Sequence, residues 1–309
     1  MEDGQVIETK GLTKLFGRKL AVDSLDLGVP RGCVYGLAGR NGAGKTTTIR
    51  MLLGLLRPTS GSASVLGLDP RKKDVEIRRR LGYVPETHHI YPWMKVREVM
   101  KFCAPFYPTW NWGRCKELLG RFELDEKQKI KELSRGMVAK VALTLALAHD
   151  PELLVLDEPT SGLDVVVRRE FLESIVRLIA EEGRTVFISS HLLADVERVA
   201  DRIALLHGGK LKLVEELSSL KARFRRVEIA FSEEPPEALE VEGIMGISKD
   251  GRRWEVVFDR FASSTMQELR LACPSAQAEE KSMGFEDIFV ALVGPRADTE
   301  APGKSREHE

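Results

Sequence analysis

Cys33-Val34-Tyr35-Gly36-Leu37-Ala38-Gly39-Arg40-Asn41-Gly42-Ala43-Gly44-Lys45-Thr46 is an apolar run that breaks into glycines and ends on a lysine and a threonine. Its second part, from Gly39 to Thr46, fits G-x-x-x-x-G-K-[ST]. The flanks fit as well, since 33–37 reads as a buried strand and 45–53 as a helix. Glycines let the backbone curl with its N–H groups pointing inward, and the helix N-terminus adds the positive end of a dipole. Such a turn is a cradle for phosphate groups. Gly39, Arg40, Asn41, Gly42, Ala43, Gly44, Lys45, Thr46 and Thr47 are therefore candidate ligand-binding residues. Lys45 supplies a point charge for the β- and γ-phosphates, and the Thr46 hydroxyl an oxygen for magnesium.

A second stretch completes the chemistry. Leu153-Leu154-Val155-Leu156-Asp157-Glu158 is an apolar strand that delivers two adjacent carboxylates at its carboxyl end. Placing two acids there is costly unless a cation or a substrate requires them. Asp157 is placed to hold the magnesium, directly or through water, and Glu158 to polarise an attacking water. A cradle and an acidic strand alone admit kinases, GTPases and many other ATPases.

Around these two stretches, short β-branched runs alternate with helical ones. Strands are predicted at 6–9, 33–37, 81–84, 153–157 and 185–189, and helices at 45–53, 111–122, 135–149, 165–180 and 192–199. Several of the strands are apolar throughout, as buried parallel strands are. The repetition predicts an α/β domain with its ligand at the carboxyl ends of the strands. Residues 87–150 break the rhythm: they are mostly helical and carry a Pro and Trp cluster at 105–112, so they read as a helical subdomain inserted in the core. After the Gly208-Gly209 hairpin and a helix near 215–221 the composition shifts. A small α+β domain is expected over 222–294, with a strand at 227–231, a hairpin at Asp250-Gly251 and helices at 264–271 and 285–293. The charged tail, 295–309, is expected to be disordered.

The totals bound the function. The 309 residues carry 47 Lys plus Arg against 47 Asp plus Glu, so no net field draws the chain to nucleic acid, and no nucleic-acid partner is expected. The cluster Arg78, Arg79 and Arg80 reads as a solvated helix face. Cys33, Cys103, Cys115 and Cys273 lie far apart, without the spacing of a zinc site or a disulfide framework. The start, Met1-Glu2-Asp3-Gly4, is unlike a secretory signal. The longest apolar run, 141–148, falls far short of the roughly 18 residues a membrane-spanning helix needs. A cytoplasmic location is expected.

Further motifs narrow the field. Leu133-Ser134-Arg135-Gly136-Met137 stands shortly before the acidic strand and resembles the LSGGQ signature of ABC ATPases. Tyr83-Val84-Pro85-Glu86 looks like the Q-loop of that family and Ser161-Gly162-Leu163-Asp164 like its D-loop. His191 stands where its switch histidine belongs, and Phe16 where its adenine-stacking aromatic does. The resemblance covers roughly residues 6–216. Beyond 222 the chain looks like the accessory domain of exporter ATPases of the bacitracin-resistance group. Two departures stand out: Arg135 and Met137 replace glycine and glutamine in the signature, and Glu86 replaces glutamine in the Q-loop.

The resemblance implies a P-loop NTPase fold of the ABC cassette kind, with the inserted helical subdomain and the small α+β domain beside it. It implies ATP and magnesium as ligands, with Thr46, Glu86 and Asp157 at the metal and Lys45, Glu158 and His191 as catalytic residues. It also implies a head-to-tail dimer, homomeric or with a paralogue, in which Ser134 and Gly136 reach the nucleotide held by the other subunit and Asp164 connects the two sites. A separate membrane permease would complete the transporter, with this chain peripheral on the inner face of the membrane and export the favoured direction. An importer ATPase, or a soluble ABC ATPase of translation or DNA repair, is the alternative. The paired cassettes or long coiled coil of the soluble classes are absent from the sequence. His88 and His89 have no such context and read as surface residues.

Overall fold

A computed structural model describes residues 4–294, with the backbone alone at 177–182. The contacts divide the chain into two compact units after Leu217, ahead of the boundary expected at 221. The expected disordered tail, 295–309, lies outside the described residues.

The first unit opens with β1 (Ile7–Phe16) and β2 (Lys19–Val29), a hairpin, followed by β3 (Val34–Ala38) and α1 (Lys45–Leu52). β4 (Ser60–Val65), α2 (Asp74–Arg80) and β5 (Leu81–Val84) come next. The insertion then carries α3 (Val96–Cys103), α4 (Trp112–Arg121) and α5 (Arg135–Leu147) before the chain returns as β6 (Leu153–Asp157). α6 (Val165–Glu182), β7 (Thr185–Ser190), α7 (Leu193–Val199), β8 (Arg202–His207) and β9 (Lys210–Glu216) complete the unit.

Six strands form the central sheet in the order β5-β6-β7-β3-β8-β9, parallel except for the β8–β9 hairpin at one edge. Alternation along each strand builds a core on either face. Tyr35, Leu37, Leu153, Val155 and Phe187 point to one side, where they meet Ile49 and Met51 of α1 and the apolar face of the β2-β1-β4 sheet. Val34, Leu154, Leu156, Val186 and Ile188 point to the other, against α3, α4, α5 and Phe171 of α6. The parallel arrangement brings the carboxyl ends of β3, β6 and β7 side by side, which is where the motifs sit.

Several elements differ from the sequence expectation. β1 is ten residues long where four were expected, because it is paired on both edges and a bulge at Gly11, in left-handed φ, carries the pairing past Lys10. β4 is Ser-Gly-Ser-Ala-Ser-Val, a strand whose one β-forming side chain is Val65 and which exists because β1 offers its edge. α2 carries the helix face read at 78–80 and α3 lies in the stretch read as mostly helical, though neither was given bounds, and residues 215–216, read as helix, end β9 instead. Arg78 and Arg80 are not idle surface charges: Arg78 pairs with Asp74 and donates to the carbonyl of Leu53, and Arg80 pairs with Glu152.

The second unit begins one residue into α8 (Leu217–Arg223) and continues with β10 (Arg225–Phe231), β11 (Ile244–Asp250), β12 (Arg253–Phe258), α9 (Thr265–Ala272), β13 (Ala276–Ser282) and α10 (Phe285–Val293). Its antiparallel sheet runs β11-β12-β10-β13. Val227, Ile229, Trp254, Val256 and Phe258 form a core with Leu269 of α9 on one face. On the other, Arg226 pairs with Glu255 and Lys281 with Glu228.

Candidate functional site

The cradle follows from local sequence. Gly44 has φ +108, and a Cβ there would lie 2.5 Å from the carbonyl oxygen of Ala21, so only glycine fits where the loop turns into α1. Lys45, the first residue of that helix, is buried. Its ammonium donates to the carbonyls of Gly39 at 2.7 Å and Arg40 at 3.2 Å, and lies 3.0 Å from Oε1 of Glu158. Arg40, Asn41 and Gly42 are exposed on the lip of the loop, while Thr46 and Thr47 are half-buried.

The carboxylates arrive at the end of β6. Asp157 accepts hydrogen bonds from the hydroxyls of Ser189 at 2.7 Å and Thr46 at 3.1 Å. Burial pushes its carboxyl above the usual range; the two hydroxyls pull the other way, and the charges of Glu158 and Glu86 add to the upward push. A hydroxyl beside a buried carboxylate that is costly to ionise is a donor set suited to a hard divalent cation, which would relieve that cost. Thr46 and Asp157 thus fit magnesium.

Glu158 adopts φ +48, a left-handed conformation that costs a non-glycine residue about 1–2 kcal/mol. Its N–H is held by the carbonyl of Ser189 at 3.2 Å and the hydroxyl of Ser189 at 3.0 Å, which stabilise the strained turn. The turn aims the side chain at the cradle. There Oε2 accepts from the backbone N–H of His191 at 3.1 Å and lies 2.7 Å from His191 Nδ1. A carboxylate only accepts, so this contact places the imidazole proton on Nδ1 and leaves Nε2 as the free ring nitrogen.

Phe16, Asn41, Gly42, Lys45, Thr46, Thr47, Glu86 and Glu158 share one cavity of about 370 Å³. Phe16 is 48% exposed at its edge, with the Lys14 ammonium 5.0 Å from the ring centre. Ser134 and Gly136 line neither this cavity nor the neighbouring one that His191 shares with the cradle. They stand at the start of α5, where Ser134 is exposed and its hydroxyl accepts the N–H of Met137 as the helix cap. Asp164 likewise caps α6, accepting from the N–H groups of Val166 and Val167. His89 is exposed, but His88 is half-buried, and burial lowers its imidazole pKa. Ser189 was missed in the sequence. Its signal was a hydroxyl pair, Ser189-Ser190, that follows the apolar run Val186-Phe187-Ile188 in the strand beside β6.

Comparison with known proteins agrees with this geometry. The ABC transporter family matches residues 22–161. The bacitracin transport ATP-binding protein BcrA of Bacillus licheniformis is 40% identical over 72% of this chain and 73% of its own. The daunorubicin/doxorubicin resistance ATP-binding protein DrrA of Streptomyces peucetius is 31% identical over 99% of this chain and 97% of its own. Among solved structures, the dimeric structure of MJ0796, a bacterial ABC transporter cassette, superposes with a TM-score of 0.60 at 26% identity, over 68% of this chain and 98% of that one. With the phosphate cradle, the carboxylate pair and the histidine in one cluster, the chain belongs to the ABC transporter family, as one of its ATP-binding and ATP-hydrolysing subunits.

Proposed function

We propose that this subunit powers export through a separate membrane permease, working from the inner face of the membrane as a head-to-tail dimer on magnesium-ATP. The observation that carries the reading is the contact chain Lys45–Glu158–His191 beside the Thr46–Asp157 pair. ATP would take Lys45 from its three oxygen partners, leaving Glu158 held by His191 alone. Water then attacks the γ-phosphorus, the bond to the β-phosphate oxygen breaks, and Glu158 accepts the proton of the water. Magnesium, held by Thr46 and Asp157 with Glu86 as a further ligand, would neutralise charge on the phosphates.

Exposed Ser134 at a helix N-terminus supports the dimer, since a hydroxyl and a positive dipole end outside the chain's own cradle suit a phosphate held by another subunit. Dimerisation of the MJ0796 cassette is consistent with this. Tyr91, Trp93, Phe102 and Phe106 form a ladder of exposed rings on the helical insertion, spaced 5.0 to 5.9 Å centre to centre. Such a patch suits the apolar face of a partner segment. No helix among the described residues is long and apolar enough to cross a membrane, so the permease is taken to be another chain. Relatives named for bacitracin transport and for drug resistance favour export.

The test is a pair of substitutions. Lys45→Ala should abolish ATP binding by calorimetry. Glu158→Gln should bind ATP yet turn over about two to four orders of magnitude more slowly, and accumulate as a dimer in gel filtration with ATP and magnesium. Parental turnover in Glu158→Gln, or a monomer under those conditions, would overturn the assigned roles.

A further inference from the structure

The two positions at which this chain departs most in charge from its family's motifs, Glu86 and Arg135, face the same space. Both line a cleft of about 450 Å³, together with Leu133, Val138 and Leu163 on its apolar side. Arg135 is the first residue of α5, and its Nη1 lies over Gly162, 3.5 Å from where a Cβ on that glycine would be. Glu86 follows β5 and is exposed. It also lines the cavity of Lys45, Thr46 and Glu158, and is the one residue among those described that is common to the two linings. Neither side chain makes a hydrogen bond or ion pair among the described residues, so each is free to take a partner.

We infer that Arg135 is a positioning residue for Glu86: the guanidinium competes with the metal for the Glu86 carboxylate, which turns from the signature cleft to the phosphate cavity when magnesium-nucleotide binds. Opposite charges across a partly apolar cleft attract more strongly than across water, because the local dielectric is lower. A divalent cation offers the same carboxylate a stronger attraction and wins when it is present. Glu86 thereby reports occupancy of the cradle to the start of α5, the element that carries Ser134 and Gly136. Glycine in the family's usual motif has no side chain for such a contact, and glutamine no charge. The two departures then make one device.

The inference rests on the reading of Glu86 as a metal ligand, and the experiment separates the two. Binding of the non-hydrolysable analogue AMP-PNP is followed by calorimetry across a magnesium series, for the full-length parent, Glu86→Gln, Arg135→Gln, Arg135→Lys and the Glu86→Gln/Arg135→Gln double variant. Removing the competitor in Arg135→Gln should lower the magnesium needed for half-maximal binding about threefold, the scale of an exposed charge pair. Arg135→Lys, which keeps the charge, should follow the parent. Glu86→Gln should raise the requirement about tenfold, and adding Arg135→Gln to it should change nothing further. If Glu86→Gln shifts while Arg135→Gln does not, shifts upward, or shifts equally in the Glu86→Gln background, the pairing is overturned and the metal-ligand reading stands. If Glu86→Gln superimposes on the parent, the metal-ligand reading itself fails and the pairing with it.

Discussion

Asp157 shows how the proposed catalytic cluster is bought at the expense of the fold. Its carboxylate is 1% exposed, between Ser189 and Thr46, and burial raises its pKa above the ordinary 3.8. A carboxylate whose folded pKa is raised weakens the folded state when it ionises. That cost is absent below pH 3.8, where the acid is protonated folded or unfolded, and is complete above the raised value. Asn at this position keeps an oxygen for both hydroxyls and carries no charge. Asp157→Asn should therefore be more stable at neutral pH by about 1–2 kcal/mol, and the advantage should shrink as the pH falls toward 3.8. It should at the same time lose magnesium-dependent hydrolysis. Thermal melts across pH, compared with ATPase rates, check both; a variant no more stable than the parent would show that the buried charge is already compensated.

Among the elements, β5 and α5 set the spacing between Glu86 and the signature. Gly82 lies against α5, and a Cβ on it would fall 2.2 Å from the carbonyl oxygen of Ala146. That atom is backbone and cannot swing aside. Gly82→Ala should push the helix off the sheet and cost about 1–3 kcal/mol, the usual range for overpacking. A domain of this size would lose about 2–4 °C in Tm for each kcal/mol. Chemical denaturation of the purified variant measures it, and an unchanged midpoint would mean that α5 shifts without strain. β1 and β4 illustrate a different cause. Both owe their length to pairing rather than to propensity, which is why the serine-rich strand is ordered at all.

Across the chain, each compact unit has its own apolar core. The proposed catalytic cluster lies entirely before Leu217, and Val227, Ile229, Trp254, Val256 and Phe258 bury one another after it. A protein ending at Leu217 should therefore bind ATP with the affinity of the full chain and melt in one cooperative transition. Calorimetry and circular dichroism of that truncation decide the matter. Failure to fold would mean that residues after Leu217 complete the first core.

The chemistry was legible before the fold was. Gly39 to Thr46 and the pair Asp157-Glu158 read as phosphate and metal sites because glycine freedom, an ammonium and adjacent carboxylates have few other uses at those spacings. β3, β5, β6 and β7 of the central sheet were legible for a related reason: strands buried on both faces must be apolar throughout, and that is a property of composition. Of the β2-β1-β4 sheet only the start of β1 was, because Lys19–Val29 and Ser60–Val65 are strands only in the presence of β1. Nor was the role of Ser189, since a serine becomes the shared partner of Asp157 and Glu158 only when β7 lies beside β6. Local residue chemistry, which acts over a few positions, was thus settled by the order of amino acids. The hold of Glu158 on Lys45 and His191, and the shared cleft of Glu86 and Arg135, were settled by tertiary structure, because they join residues dozens of positions apart that only the packing of strands and helices brings into contact.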